Sequence, residues 1–476
     1  MPGGRVSARR LAELLGAWRS PNGRQAASEL AGGVRLLARE GRLPAGTRLP
    51  AERELAGALA VSRTLVTSAM DLLRTNGVVA SRRGAGSWIV VPGHTRPGEP
   101  MDNHELIDLA RASPEAVPAM ADAVAVAADR LPVHLRGHGY QPHGLPELRA
   151  AIAARFDARG LATAPDQIVV TTGAHHAFGL LLRLFVHPGD RVLVEQPTYP
   201  NALDAIRASS ALAVGVPMTE NGWSLDGIEA ALRQSAPKLA YFVPEFHNPT
   251  GHRMTDDDRA RLGALLRRTR TMSVADETLF ELDLDGDPLA GPAPLAGCAP
   301  DQVVTIGSAS KSHWGGLRIG WVRAPMDMVN RIIGVRATMD LGAPVFEQLV
   351  LAELLADPEP VLRQRRAELA RRRDLLLAAL ATHCPQWIVR RPAGGLVTWC
   401  ELDEPVATRL AVAGESYGLR IVPGSRFGVD GGWERWLRVP FTLPPHVLTD
   451  AVARLGNLAH AVGGGHAADG GRVPIA

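Results

Sequence analysis

Apolar residues recur at helical spacing in three successive segments near the start of the chain. The first covers residues 24–41, the second covers residues 51–59, and the third begins at Ser62, a natural N-cap, and ends at Gly77. This spacing predicts three amphipathic helices. We expect the inward faces to consist of Leu30, Val34, Leu37 and Ala38 in the first helix and Leu65, Ala69, Leu72 and Leu73 in the third.

Two strand-like runs follow these helices, at residues 78–81 and 87–91, and a turn of Arg and Gly residues joins them. The order helix, helix, helix, hairpin predicts a winged helix-turn-helix. Residues 92–104 are polar and contain Pro and Gly without periodicity, which indicates a semi-extended linker.

From about residue 105 the pattern changes, and apolar strand-like runs alternate with helical stretches. These runs lie at 168–171, 192–195, 239–243, 272–275 and 303–307. The alternation predicts an α/β domain with a mainly parallel sheet, and 476 residues are more than one hydrophobic core usually supports. We therefore expect an N-terminal extension at 1–23, a winged helix at 24–91, a linker at 92–104, an α/β domain at 105–462 and a disordered tail at 463–476.

Charge is distributed unevenly along the chain. Residues 1–92 contain 14 Arg, no Lys and 6 acidic residues, a net charge of +8, whereas the remaining 38 basic and 43 acidic residues give −5. A basic head on a mildly acidic body predicts that the head binds a polyanion, although an Arg-rich composition is an alternative explanation. A bias in composition alone would not concentrate the excess in one fifth of the chain.

The sequence indicates neither a membrane-spanning helix nor a metal site. No uncharged stretch reaches the roughly 18 residues that a membrane helix needs, and no apolar run follows the basic N-terminus. We expect a soluble, cytoplasmic protein that associates with the nucleoid through DNA. Cys298, Cys384 and Cys400 are too far apart for a disulfide framework or a metal cluster, so no metal site is expected.

Only two of the 52 basic residues are lysines, Lys238 and Lys311. Because Arg serves most cationic positions, a lysine indicates chemistry that needs an amine able to lose its proton. Lys238 stands at the entry to an apolar strand and is interpreted as a surface residue. Lys311 lies among small and Gly residues, and we predict that it holds pyridoxal 5′-phosphate (PLP) as a Schiff base.

PLP needs further partners: a phosphate cradle, a carboxylate at the pyridine nitrogen, a stacking ring and a group for O3′. A glycine turn between a strand and an apolar helix predicts the cradle, because free N–H groups point at an anion there. The candidates are Gly173, Ala174 and His175 in this cradle, Ser308, Ser310 and Arg318 as additional phosphate ligands, Asp276 for the nitrogen, Tyr199 for stacking and Asn248 for O3′.

Each of these residues has an ordinary structural alternative. The glycine turn can be a plain left-handed turn, Asp276 a helix N-cap, Tyr199 part of the core and Asn248 part of a turn. His175 can contact the cofactor ring or can simply lie on a helix face. The five signals become specific because they occur together in one order along the chain.

DNA contacts are expected at the start of the third helix, because the second helix of a helix-turn-helix enters the major groove. A small helical protein-interaction domain with a basic surface is the alternative. The candidate contacts are Ser62, Arg63, Thr64 and Thr67 on this helix, Arg53 on the supporting helix, and Arg82, Arg83 and Gly84 in the hairpin tip.

The segments Leu-Pro-Ala-Glu-Arg-Glu-Leu-Ala at 49–56, Val-Ser-Arg-Thr at 61–64 and Arg-Arg-Gly-Ala-Gly at 82–86 together resemble the GntR-type winged helix. The order of the glycine turn, Tyr199, Asn-Pro-Thr-Gly, Asp276, Ser-x-x-Lys and Arg318 resembles fold-type I aminotransferases of class I/II over residues 105–462. This second resemblance implies a smaller C-terminal subdomain and a site between two subunits, hence a homodimer.

The same resemblance assigns two further residues. Tyr140 would reach the phosphate bound to the partner subunit, and Arg438, in Leu-Arg-Val-Pro, would clamp a substrate or effector carboxylate. One position departs from the family, which commonly has a tyrosine three residues after the aspartate. Leu279 stands there and cannot bond O3′, which puts the tuning of the cofactor in doubt.

A winged helix joined through a linker to an aminotransferase-like body resembles the MocR subfamily of GntR regulators. The resemblance implies a PLP-dependent regulator of vitamin B6 or amino-acid and amine metabolism. PLP would form an internal aldimine on Lys311, and an amino compound or PLP itself would alter binding to double-stranded operator DNA. Physiological turnover is not expected. The alternatives are an active aminotransferase with an accessory head and a repressor whose body is only a dimerisation scaffold.

Overall fold

The computed structural model describes residues 4–20, 25–82, 86–90 and 106–463. The predictions for Arg83, Gly84, the linker at 92–104 and the tail beyond residue 463 lie outside the described residues. No helix in the described ranges combines the length and the apolar composition that a membrane span requires.

The N-terminal unit, called the head below, is a winged helix-turn-helix. It consists of α1 (Ala8–Leu15), α2 (Ala26–Arg39), α3 (Glu52–Ala58), α4 (Arg63–Thr75), β1 (Val79–Arg82) and β2 (Gly86–Ile89). Elements α2 to β2 confirm the predicted three helices and hairpin. Ser62 caps α4 as expected, because its Oγ accepts a hydrogen bond from the Leu65 backbone N–H at 3.2 Å.

The inward face of α4 differs in part from the prediction. Ala69 and Leu73 are buried as expected, but the other buried residues are Val66 and Met70. Leu72 is 37% exposed, so its predicted inward position is wrong. The face that packs on the rest of the head is centred on Val66 and Met70, and Leu72 points away from it because it lies two positions beyond Met70 on the helix.

Helix α1, in a segment to which the sequence pattern assigns no structure, completes the hydrophobic core of the head with Leu11, Leu14 and Leu15. The approach of α1 explains why α2 contains adjacent glycines, although Gly inside a helix costs about 1 kcal/mol relative to Ala. A Cβ at Gly33 would lie 2.8 Å from Leu15 Cδ2. A Cβ at Gly32 would lie 2.5 Å from Cγ1 of Val412, which belongs to the C-terminal part of the chain.

The large subdomain of the body contains a seven-stranded sheet in the described part of the chain, with strand order β4-β10-β9-β8-β7-β5-β6. Strand β10 runs antiparallel to both of its neighbours and the other pairs are parallel, which confirms the predicted mainly parallel sheet. Its elements are β3 (Ile107–Asp108, paired with the small subdomain), α5 (Met120–His134), α6 (Pro146–Ala158), β4 (Ile168–Thr171), α7 (Ala174–Phe185), β5 (Arg191–Gln196), α8 (Pro200–Ala208), β6 (Leu212–Pro217), α9 (Leu225–Ser235), β7 (Leu239–Phe242), α10 (Asp256–Thr269), β8 (Ser273–Asp276), β9 (Val303–Ser308), β10 (Gly320–Arg323), α11 (Met326–Arg336) and α12 (Val345–Leu354).

The small subdomain follows and has its own hydrophobic core. Strands β11, β12 and β14 form an antiparallel sheet, and β13 pairs in parallel with β3. Its elements are α13 (Pro358–His383), β11 (Ile388–Val389), β12 (Val397–Glu401), α14 (Ala407–Ala413), β13 (Leu419–Arg420), β14 (Trp436–Pro440) and α15 (Pro445–Gly463).

The head packs directly against the small subdomain. Helix α2 contributes one face to the core of the head, whereas Leu36, on its other face, belongs to the core of the small subdomain. At the edge of this contact Arg39 donates a hydrogen bond to Glu415, and the Arg35 guanidinium lies 3.4 Å from the same carboxylate. A second contact joins Arg10 of α1 to Asp430 at 3.3 Å. We call this contact region the docking surface.

Replacement of Leu11 by Ala tests whether α1 is part of the head. The truncation leaves a cavity at a fully buried position, so we expect the head to lose about 2–5 kcal/mol of stability. Amide hydrogen exchange of α2 and α4 in the full chain measures this loss. Arg9→Ala, at a side chain that is 90% exposed, is the control and should change stability by less than about 0.5 kcal/mol. Unchanged protection of α2 and α4 in Leu11→Ala would contradict the assignment.

Candidate cofactor site and candidate DNA interface

A cavity of about 420 Å³ opens at the carboxyl edge of the sheet. Open α/β sheets place ligands at this edge, because the loops that leave neighbouring parallel strands converge there. The cavity brings together all the predicted cofactor and carboxylate residues except one, namely Gly173, Ala174, His175, Tyr199, Asn248, Asp276, Ser308, Ser310, Lys311, Arg318 and Arg438. The exception is Tyr140, which is 56% exposed and does not line the cavity of its own chain.

Lys311 follows β9 and directs its amine into the cavity. Burial, and then the nearby Arg438 charge, lower the pKa of Lys311 to about 8, and the Asp276 charge partly opposes them. Nζ donates a hydrogen bond to the backbone oxygen of Ala112 at 2.8 Å. A substantial fraction of the amine is therefore neutral near physiological pH, which is the form that attacks an aldehyde.

Asp276 ends β8 and lines the same cavity. Its Oδ2 accepts a hydrogen bond from the Tyr241 hydroxyl at 2.7 Å, and its Oδ1 accepts from the Thr278 hydroxyl at 2.6 Å and from the Thr278 backbone N–H at 3.1 Å. Among the described residues, no Arg, Lys or His forms a salt bridge with this carboxylate. Burial raises the pKa of Asp276 above its ordinary value, and the three hydrogen bonds only partly oppose this rise. A cation that enters the cavity would complete this site.

The glycine turn has the predicted form. Gly173 has φ +104° and precedes the 12-residue helix α7, whose first N–H groups are free to face an anion. The turn packs closely, because a Cβ at Gly173 would lie 2.8 Å from Nη2 of Arg318 and a Cβ at Gly320 would lie 2.5 Å from the Gly173 carbonyl carbon. Arg318 Nη2 donates to the Thr172 backbone oxygen at 2.7 Å, which holds the guanidinium beside the turn.

His175 and His176 lie in the first turn of α7. The side chain of His175 lines the cavity, which favours contact with a ligand over the helix-face alternative. Burial and the Arg318 charge lower the pKa of His175, so the imidazole is neutral near pH 7. His176 points elsewhere, with Nδ1 at 2.9 Å from the Thr172 hydroxyl and Nε2 at 3.3 Å from the Asp340 carboxylate.

Arg438, on β14, presents a buried guanidinium to the cavity from the small subdomain. Burial lowers the pKa of Arg438 to about 10, so the side chain remains charged at neutral pH. Nη2 donates to the Ala110 backbone oxygen, the ring of Phe427 lies 5.2 Å away, and Nε is buried without a hydrogen-bond partner among the described residues. The Arg438 guanidinium can therefore donate hydrogen bonds to the carboxylate of a ligand.

These residues fit PLP. Asp276 is a cavity carboxylate that lacks a cation, Asn248 has a buried Oδ1 without a partner in the described structure, and Gly173 provides close approach at a helix N-terminus. Leu279 also lines the cavity. As expected from the sequence, this position therefore offers no tyrosine hydroxyl to O3′.

Several residues at the site carry no recognisable signal in the sequence. Ala110 and Ala112 act through backbone oxygens, which any residue supplies. Tyr241 reaches Asp276 only because β7 and β8 are neighbours in the sheet. Thr278 was within reach of sequence reasoning, because a hydroxyl residue two positions after an aspartate commonly bonds the carboxylate locally.

The candidate DNA interface lies at the N-terminus of α4. Ser62, Arg63 and Thr64 are exposed there, as predicted, and Arg53 and Arg82 are exposed nearby in the head. The three arginines form no salt bridge with any described residue. Thr67 differs, because it is half-buried and its hydroxyl donates to Glu52 at 2.7 Å, which engages the group that was expected to face DNA.

The fold and the cavity define a class of protein: a DNA-binding winged helix fused to a fold-type I, PLP-dependent aminotransferase-like domain. The family described as aminotransferase class I and II matches residues 112–455, and the chain belongs to this family. The family of bacterial regulatory proteins, gntR family, matches residues 26–89, which cover α2 to β2 of the head.

Curated relatives that align with most of this chain are named as regulatory proteins. The chain is 29% identical to the uncharacterized HTH-type transcriptional regulator YdcR of Escherichia coli, with 83% of this chain and 90% of that protein covered. It is 28% identical to the probable rhizopine catabolism regulatory protein MocR of Rhizobium meliloti, with coverage of 73% and 76%. The chain is thus a member of the transcription-regulator group that joins these two domains.

Enzymes are also similar to this chain, over part of its length. The chain is 30% identical to the 2-aminoadipate transaminase of Thermus thermophilus, with 67% of this chain and 80% of that protein covered. The crystal structure of an alpha-aminoadipate aminotransferase of the same species, complexed with N-(5′-phosphopyridoxyl)-L-leucine, matches with a TM-score of 0.69 and 28% identity. The match covers 76% of this chain and 93% of that one.

The pKa of Lys311 predicts how PLP uptake depends on pH. The rate at which the purified chain develops an absorption band at about 420 nm with PLP should rise with pH, because the neutral amine increases as pH passes the pKa of about 8. Lys311→Ala should abolish the band, and Lys238→Ala, at the other lysine, should retain it. A midpoint near the ordinary lysine pKa of about 10.4 would contradict the assignment.

Proposed function

We propose that this chain is a PLP-dependent regulator of transcription in vitamin B6 metabolism or in amino-acid or amine metabolism. PLP would be held on Lys311, and an amino-compound effector, or PLP itself, would change the affinity of the head for its operator. The observation that carries the proposal is the docking surface, since the head packs against the subdomain that contains Arg438.

The residues of the cavity have distinct roles in this proposal. Bound PLP supplies an aldehyde for an incoming amine and an electron-withdrawing ring. Lys311 would hold the cofactor and provide the proton-accepting amine, Asp276 would keep the proton on the ring nitrogen, and Gly173 and Arg318 would hold the phosphate. Arg438 orients the effector by its carboxylate.

Arg438 also connects the cavity to the first described residues of the body. The Ala110 oxygen that accepts from Arg438 lies only two residues after β3, which begins the described body after the linker residues. A carboxylate that engages Nη2 of Arg438 would compete with this oxygen for that nitrogen. Effector binding would thus favour a different position of residues 107–112 relative to β14, and a ligand that binds two states with different affinity shifts their populations.

A homodimer is part of the proposal, and the surface of the body supports it. Soluble monomers rarely expose contiguous apolar patches. This chain exposes large apolar side chains on and near α5, in the segment around residue 140 and in the segment 339–341. Arg336 links these segments, donating to the Pro142 oxygen at 2.8 Å. The exposed residues are Val124, Val126, Val133, Leu135, Tyr140, Met339 and Leu341.

An active aminotransferase with an accessory head is the second candidate. The cavity contains Lys311, Asp276 and Arg438 together, which is the set that transamination needs. Leu279 and the docked head favour regulation. Steady-state transamination with a panel of amino acids separates the two, because turnover of about 1 per second or faster would place the chain among ordinary enzymes.

The proposed function predicts a response of operator binding to ligands. DNA from upstream of the chain's own gene, titrated at fixed salt with and without PLP and a panel of amines, should show an affinity change of about 5-fold or more. Lys311→Ala should lose this response and retain ligand-free binding. Arg63→Ala, at the exposed start of α4, should lose operator binding while it retains the PLP band. Operator affinity that no ligand changes would contradict regulation by this cavity.

The docking surface predicts variants that uncouple the ligand from DNA. Gly32→Leu places a side chain against Val412, and Glu415→Ala removes the partner of Arg35 and Arg39. Both should keep the PLP band and ligand-free DNA affinity but reduce the ligand response, more strongly for Gly32→Leu because surface ion pairs contribute little. The measurement is the same titration.

Asp450→Ala is the matched control for these variants. It removes an exposed ion pair with Arg454 within α15, and Asp450 forms no hydrogen bond or salt bridge with a described residue of the head, so the response should remain unchanged. If Gly32→Leu retains the full wild-type response, the docking surface does not transmit the signal.

A further inference from the structure

The carboxylate of Asp276 is held by a phenol from a neighbouring strand. Tyr241 lies on β7, which pairs with β8, and its side chain is only 1% exposed. The Phe178 ring packs against the Tyr241 ring with centroids 4.7 Å apart, and this contact fixes the direction of the hydroxyl toward Asp276. The hydrogen bond of 2.7 Å is therefore built into the sheet.

We propose that Tyr241 is a positioning residue for Asp276, which keeps the carboxylate ionised and oriented so that the proton stays on the ring nitrogen of PLP. This inference rests on the proposed function, because it requires that PLP binds at Lys311. Tyr241 acts through Asp276 and carries out no step of its own.

The charges around Asp276 give the physical reason. The carboxylate has three neutral donors, the Tyr241 hydroxyl and the two groups of Thr278, and no cationic side chain among the described residues bonds to it. Burial alone would favour the protonated acid. The donors oppose burial, so loss of one donor moves the proton from the ring nitrogen toward the carboxylate.

Tyr241 itself is restricted to donation. Burial and the adjacent Asp276 charge raise the pKa of the Tyr241 phenol well above its ordinary value. The phenol therefore keeps its proton over the pH range in which the cofactor titrates, and its contribution to Asp276 is constant there. Leu279 offers no phenol to O3′. The phenol at this site is that of Tyr241, and it contacts the carboxylate of Asp276.

Tyr241→Phe tests the inference because it removes the hydroxyl and preserves the ring that packs on Phe178. The PLP-loaded protein is titrated with acid and base while the visible absorption band is recorded. A weaker positive charge on the pyridine ring would make Nζ of Lys311, the nitrogen that joins the lysine to PLP, more basic, so the midpoint of the colour change should move to higher pH by roughly 0.5 to 1 pH unit. Thr278→Val, which removes the second hydroxyl, should move the midpoint in the same direction.

Two controls separate the possible failures. Tyr417→Phe removes a phenol in the small subdomain, outside the cavity, and should leave the midpoint at the wild-type value. Asp276→Asn should move the midpoint further than Tyr241→Phe does. A wild-type midpoint in Tyr241→Phe, together with a shift in Asp276→Asn, overturns the role of Tyr241 and leaves the proposed function standing. A wild-type chain without a visible band in PLP overturns the proposed function itself.

Discussion

Asp276 and Lys311 face one cavity at the carboxyl edge of the sheet, and neither forms a salt bridge with another described residue. An isolated charge in such a place is costly, and the fold maintains both groups with neutral partners: two side chains around the carboxylate and one backbone oxygen near the amine. The parallel strands make this arrangement possible because their ends converge. The glycine turn at Gly173 and the guanidinium of Arg318 add a place for an anion. The cavity thus has separate places for a cation, an aldehyde and a phosphate, and PLP contains all three.

The second feature on which the molecule depends is the position of α2 between two cores. Leu36 contributes to the small subdomain, while the opposite face of the helix completes the head. The two adjacent glycines permit this arrangement at a cost in helix propensity, because Gly33 admits α1 and Gly32 admits α14. A helix shared by two packed units moves with both of them. This packing is the physical route by which the proposed effector would influence the head.

The chemistry of the cavity and the architecture of the chain together explain why regulation is the better proposal. Lys311, Asp276 and Arg438 are the groups that an aminotransferase uses, and the matches to the aminoadipate enzymes cover 67% and 76% of the chain. Leu279 removes one expected contact to the cofactor, and Tyr241 supplies a different one through Asp276. A cofactor that is bound and polarised but lacks one hydrogen bond suits a site that senses an amine. In the proposed function, the head would convert the binding of an amine into a change in DNA binding.

The sequence by itself determined the local features of this protein. The cap at Ser62, the glycine turn at 173, the strand that ends in Asp276 and the unusual lysine at 311 all follow from periodicity, turn chemistry and composition, which act over a few residues. Motif order and family resemblance supplied the rest of the cavity residues. Only the tertiary structure decided that Tyr241 bonds Asp276, that Leu72 is exposed and that α2 docks on the small subdomain. These facts depend on which strands and helices become neighbours, and contacts between residues far apart in the chain leave no local pattern.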